Sequence, residues 1–172
     1  MIRDAKPSDA AAFVDIYGYY VQNTAYSYEE TPPDTEEMER RIREYTAHYP
    51  WLTMEEEGRV IGYAYANRFR ERAAYLYSVE ISVYFHQECQ GHGYGRSIVS
   101  ELLSRLKAAG CYTAVATLSS ENIASEKLFL SLGFEPAGVL PNIGYKFGRW
   151  HTLKLLTKPL GEYDRLGAHH VE

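Results

Sequence analysis

The apolar positions of this chain change period as they run, and each change marks an element. Residues 2–5 read as a short first strand, and Pro7-Ser8-Asp9 caps a helix whose Phe13, Ile16, Tyr17 and Tyr20 fall on one face. A loop over 23–33 leads to Asp34 and Glu37, spaced as a capping box, and Met38, Ile42 and Tyr45 carry a second helix that Pro50 closes. The pattern then turns to strands. Residues 51–55 and 60–67 form a hairpin across Glu57-Gly58, an arginine-rich loop follows, and 74–85 reads as one long strand. On that strand Glu80, Ser82 and Tyr84 share one face and Val79, Ile81 and Val83 the other.

Helical spacing returns with Ile98, Val99, Leu102, Leu103 and Leu106 and ends at Gly110. A short β-branched strand over 113–118 and a helix over 122–132, stopped by Gly133, come next. Segments 134–137, 145–147 and 150–157 predict a closing antiparallel pair, interrupted at Pro141 and Gly144. Strands and helices alternate without repeat or linker, so the expectation is an α/β fold, one domain over 1–160 and a tail over 161–172.

Composition narrows the functions open to such a fold. A chain of 172 residues buries a core without disulfides or metal. The formal charge of −5 and pI near 5.7 exclude a nucleic-acid grip resting on a basic face, while leaving room for a local basic pocket. Cys89 and Cys111 stand in no metal-like spacing, His169-His170 reads as tail, and no leader or span-length apolar run is present; the reading is a cytoplasmic protein with no metal and no membrane contact. The 16 tyrosines are mainly packing residues with a polar tip, so any one of them needs separate grounds before it is given a chemical role.

The chemistry concentrates where the acid-bearing strand runs into Gln90-Gly91-His92-Gly93-Tyr94-Gly95-Arg96-Ser97 and the helix after it. A helix start presents unpaired N–H groups and the positive end of its dipole, which suits phosphate oxygens, and glycines let the backbone approach them. Glycine spacing alone fits a plain strand-to-helix turn equally well, and it is neither the dinucleotide fingerprint nor a P-loop.

The element order, together with Gln90-x-x-Gly93-x-Gly95, Asn122 and Leu132-Gly133-Phe134, resembles the GNAT superfamily of acyl-CoA-dependent N-acetyltransferases. Tyr49-Pro-Trp-Leu52, Tyr63-Ala-Tyr-Ala66, Val79-Glu-Ile-Ser-Val-Tyr84 and Gly144-Tyr-Lys-Phe-Gly-Arg-Trp-His151 are similar to its phosphinothricin acetyltransferase branch. The resemblance implies a mixed α+β sheet splayed at the Glu80 strand, with acetyl-CoA as cosubstrate. Its pantetheine arm would lie on the backbone around Ile81 and Val83, and its pyrophosphate in the turn from Gln90 through Gly91, His92, Gly93, Tyr94, Gly95, Arg96 and Ser97. It implies Glu80 as the general base that takes the ammonium proton of the acceptor. Asn122 would both cap its helix and meet the departing thiolate. Phe129 occupies the position that holds His or Tyr in relatives and cannot donate a proton, which leaves Tyr145, His151, water or an unassisted thiolate for that role.

The branch acetylates the α-amine of compounds such as phosphinothricin, methionine sulfone and methionine sulfoximine, and forms homodimers, for which 145–150 offers aromatic surface. An Arg fork matches a carboxylate in two-point geometry, so Arg72, which aligns best, and Arg70 are expected to orient an amino acid, with Tyr28 and Phe69 as aromatic companions. Two other functions compete: acetylation of another small amine or a protein N-terminus, and acyl-CoA binding without catalysis.

Overall fold

A computed structural model describes residues 1–89 and 91–163; Gln90 and residues 164–172, with most of the expected tail and His169-His170, lie outside them. Strand β1 (Ile2–Asp4) precedes a single 3-10 turn, Pro7–Asp9, and helix α1 (Ala10–Asn23). Asp9 departs from its expected capping role. Its carboxylate accepts bonds from both Arg3 Nη atoms at 2.8 Å, from Lys6 N and from Thr53, so it ties the chain start to the sheet instead of capping α1. Asp34 does cap α2 (Thr35–Thr46), accepting from Glu37 N at 2.8 Å, but the reciprocal half of the box is not used because Glu37 turns to Arg40 and Arg41.

Strands β2 (Trp51–Glu56) and β3 (Arg59–Arg68) meet at Glu57 and Gly58, both at positive φ, the requirement of a type I′ hairpin turn. The long strand expected from residue 74 starts later. Ala73–Tyr75 closes a 3-10 turn, and β4 runs Ser78–Phe85. Helix α3 (Tyr94–Ala108), strand β5 (Thr113–Ser119) and helix α4 (Ile123–Ser131) follow as the pattern predicts. The closing pair is longer than expected. Strand β6 (Glu135–Lys146) absorbs Pro141 and Gly144 in register shifts instead of breaking, and turns into β7 (Arg149–Pro159) through Phe147 and Gly148 at positive φ.

The seven strands form one sheet in the order β1-β2-β3-β4-β5-β7-β6. One face packs Ala64, Ala66, Val79 and Ile81 under the α3 residues Ile98, Leu102 and Leu106 and under Phe129 of α4. The other packs Trp51 and Tyr63 under Phe13, Ile16 and Tyr17 of α1 and Met38 and Ile42 of α2.

The pairing of β4 places the site. Its parallel ladder to β5 has only three rungs, Ser78 to Thr113, Val79 to Ala114 and Glu80 to Val115. Beyond Glu80 the two strands part: β4 continues against β3 to Phe85, and β5 continues against β7 to Ser119. The β5-facing side of Ile81–Phe85 is thereby left without a strand partner, and alternate residues there turn backbone N–H and C=O groups into the gap.

Candidate active site

Glu80 stands on the last rung before the strands part, half-buried on the face that carries α1 and α2. Burial lifts its carboxyl above the usual carboxylate range, and a hydrogen bond with Thr117 and the charge of Arg70 pull it part of the way back. Thr117 belongs to β5, two residues past the last rung, so the carboxylate reaches across the mouth of the fork.

From the fork a cleft of about 580 Å³ opens toward the N-terminus of α3. Val83, Tyr84 and Phe85 form one wall and Asn122, Ser125 and Leu128 of α4 another. At its far end lie Gly91, Gly93, Tyr94, Gly95 and Arg96. Gly91 and Gly93 sit at φ +81°, which side chains rarely adopt, and Gly93 is the N-cap of α3. Gly95 is a different case. It lies inside the helix, and a Cβ there would come within 3.1 Å of Leu128 Cδ2, so it is small to admit α4.

No acid lies in the first turn of α3. Ser97 N–H already bonds to Gly93 O at 3.2 Å, and the N–H groups of Tyr94, Gly95 and Arg96, the first turn of the helix, have no helical partner among the described residues. Arg96 lines the cleft and is held by Ser131 through two 3.1 Å bonds; Tyr94 is held by Glu56 and stacks between Phe85 and His92. Ile81 has its side chain in the core, so only its backbone faces the gap. His92 and Ser97 are exposed and outside the cleft wall. Asn122 both lines the cleft and caps α4, accepting from Ser125 N at 3.1 Å.

Among the acceptor-side residues, Arg70 lies over the Phe69 ring at 5.1 Å and acts on Glu80 through its charge. Arg72 is exposed and opens the 73–75 turn. Tyr28 presses on Gly144, where a Cβ would meet its ring at 2.2 Å, and its buried hydroxyl faces Ser119 without a well-formed hydrogen bond. Tyr145 is exposed, edge-on to Trp150, outside the cleft wall. His151 is buried, with Nδ1 3.2 Å from Glu121 and Nε2 2.8 Å from Lys146 O. Phe129 lies in the core against Phe134 and does not line the cleft.

Residues 2–152 match the acetyltransferase (GNAT) domain. The chain belongs to the GNAT acetyltransferase family. It is 37% identical to the phosphinothricin N-acetyltransferase of Alcaligenes faecalis, over 95% of this chain and 84% of that one. To the L-methionine sulfoximine/L-methionine sulfone acetyltransferase of Salmonella typhimurium it is 38% identical, over 94% and 95%. The GNAT superfamily phosphinothricin acetyltransferase of Sinorhizobium meliloti, solved in complex with acetyl-CoA, superposes with a TM-score of 0.90 at 39% identity, covering 94% of this chain and 88% of that one.

This GNAT protein is therefore an acetyltransferase, and acetyl-CoA is the family's cosubstrate. Its cleft fits such a molecule: open strand backbone for an amide-bearing arm, and free helix N–H groups beside Arg96 for phosphates. Among the described residues no group of three or more His, Cys, Asp or Glu is placed to hold a metal, and no helix is long and apolar enough to cross a membrane. Sequence reasoning missed Tyr19, Tyr20, Thr24 and Tyr26, which close the cleft from the end of α1, and Thr117. Nothing in the pattern of a loop or a β-branched strand distinguishes them; their role comes from elements distant in sequence meeting at one fork.

Proposed function

We propose that this chain moves the acetyl group of acetyl-CoA to the α-amine of a small amino-acid-like acceptor, in a ternary complex, with Glu80 as general base. The observation that carries the reading is the position of Glu80 on the last rung before β4 and β5 part, half-buried and raised in pKa by that burial, though it is not itself in the cleft wall. A carboxylate of raised pKa is a better proton acceptor near neutrality, and it takes the ammonium proton directly or through one water. The freed amine attacks the thioester carbonyl, the C–S bond breaks as the amide forms, and the thiolate leaves. With Phe129 in the core and Tyr145 outside the cleft wall, the thiolate is protonated by solvent or by the proton Glu80 has gained.

Arg70 and Arg72 orient the acceptor's carboxylate, with Phe69 and Tyr28 beside it; Arg70 has the stronger support because its charge already acts on Glu80. Ile81 and Val83 hold the pantetheine arm through backbone groups, and the N–H groups after Gly93 hold the pyrophosphate. Acetyl-CoA supply and two free cysteines favour a cytoplasmic setting. The protein assembles as a homodimer through the β6–β7 hairpin, whose Val139, Ile143, Tyr145, Phe147 and Trp150 are each 55% or more exposed on an edge of the sheet.

Free CoA release measured across the amino acids, methionine sulfone, methionine sulfoximine and phosphinothricin tests the acceptor class. Release is expected with α-amino acids of this type and absent with their N-blocked forms. Release only with polyamines or peptide N-termini reassigns the acceptor, and tight acetyl-CoA binding with no release from any amine makes the chain a binding module.

A further inference from the structure

Lys146, the last residue of β6, is buried, and all three N–H groups of its ammonium bond to backbone carbonyls, those of Val21, Thr24 and Ser27, at 2.7 to 2.9 Å. An ammonium taken out of water without a bonded carboxylate is costly. Burial accordingly pushes this one below the ordinary lysine value, and the charges of Glu29 and Glu30 pull it part of the way back. The carbonyls need such a donor. Val21 stands in the last turn of α1, where carbonyls lack helical partners and carry the negative end of the dipole.

The stretch held in this way is a wall of the 580 Å³ cleft. Thr24 lines it, and so does Tyr26, which stands between the second and third of the bonded carbonyls. Tyr19 and Tyr20 continue the wall along α1, with Tyr20 stacked on Tyr26 at 6.4 Å between ring centres. The backbone of the same lysine reaches the opposite wall. Its carbonyl accepts from His151 Nε2 at 2.8 Å, and His151 Nδ1 lies 3.2 Å from Glu121 Oε1. Glu121 directly precedes Asn122, with which the α4 wall begins. One residue thus joins the turn after α1 to the start of α4, two segments that lie about a hundred residues apart in the chain and face each other across the cleft.

We propose that Lys146 is a positioning residue for acetyl-CoA: its ammonium fixes the wall over residues 21–27 against the wall at Asn122, and so sets the cleft width on which cosubstrate affinity depends. Lys146 acts through these walls, being outside the cleft lining itself. The proposal rests on the cleft being the acetyl-CoA site.

Lys146→Ala in the full-length protein removes the ammonium and leaves the three carbonyls around a space that a small cation can enter. CoA is the ligand for the test, because it has no acetyl group to lose to an added amine. Calorimetric CoA affinity is expected to fall roughly tenfold, the effect of losing about one charge-assisted bond. Ethylammonium chloride, whose N–H groups fit the carbonyls, is expected to restore most of the affinity. Tetramethylammonium chloride at the same concentration has no N–H and is expected to restore none, and wild type is expected to respond to neither salt. Lys146→Met keeps most of the side chain's volume and fills the space, so it is expected to stay folded, to bind CoA as weakly, and to ignore both salts.

A lowered melting temperature with CoA affinity unchanged in both variants makes Lys146 a residue of the fold alone and overturns the proposal. Equal recovery of Lys146→Ala with the two salts, or recovery with neither, also overturns it. Gly93→Val, at the N-cap of α3, separates this failure from that of the cleft. If it abolishes CoA binding while the Lys146 variants bind fully, only the role of Lys146 falls; if all three bind fully, the cleft is not the cosubstrate site.

Discussion

Glu80 is held between two demands, since burial favours its neutral form and its proposed work needs the charged one. Replacing it with glutamine keeps the shape and removes the base, so turnover is expected to fall by roughly 10²–10⁴ with acetyl-CoA affinity unchanged, and to recover in part at high pH as free amine accumulates. Unchanged turnover removes the base assignment. The same variant has a stability signature. Because the folded state raises this pKa, it binds the proton more readily than the unfolded chain does, and stability falls as pH rises from the ordinary carboxylate value to the raised one. Glu80→Gln escapes that loss, so its melting temperature is expected to exceed wild type at neutral pH, with the gain vanishing below the ordinary carboxylate range. Arg70→Ala is expected to raise the acceptor KM, with an amide in place of the acceptor's carboxylate erasing most of the difference. If the amide weakens wild type and variant equally, Arg70 is not the clamp. Glu80 was legible because an acid on an otherwise apolar strand stands out. Thr117 was not, because it reaches Glu80 beyond the last rung of the ladder, where no register reports the contact.

Helix α3 and the turn before it show how far periodicity carries an element. Its apolar spacing and Gly110 located the helix, and the glycines located its start, but the sequence treated Gly93 and Gly95 alike. Their constraints differ. Gly93 has open space around it and a left-handed backbone, so Gly93→Asn, which tolerates that region, is expected to keep the melting shift caused by acetyl-CoA, and Gly93→Val to lose it while remaining folded. If Gly93→Val keeps the full shift, the turn is not where the cosubstrate's phosphates bind. Gly95 answers to packing, since Leu128 occupies the space a side chain needs. Strand boundaries were harder to read. Residues 74–77 carry no turn signal, yet the backbone bonds Tyr75 N to Arg72 O and Leu76 N to Ala73 O before β4 begins. Pro141 and Gly144 looked like breaks because local pattern cannot tell an interruption from a bulge on an edge strand that has only one neighbour to satisfy.

At the scale of the molecule, the sheet order was illegible from pattern alone, and so was the fork, which is defined by the rungs β4 and β5 do not share. The resemblance to a family supplied the fork but not the order. The edge it exposes is apolar enough to seek a partner: sedimentation is expected to give twice the 19.7 kDa chain mass, and Ile143→Lys with Trp150→Ser to give monomers. A concentration-independent monomer mass for wild type removes the homodimer. The same hairpin also closes the molecule inward. Lys146, 5% exposed, donates from Nζ to the carbonyls of Val21, Thr24 and Ser27 at 2.7, 2.9 and 2.7 Å, and Thr24 lies in the cleft wall. A ribosome releases those carbonyls long before it makes the lysine that fastens them. Nascent chains therefore carry an unfastened wall until residue 146 has been made and folded in, and a message cut short before codon 146 spoils the wall near residues 21–27 as well as the hairpin itself.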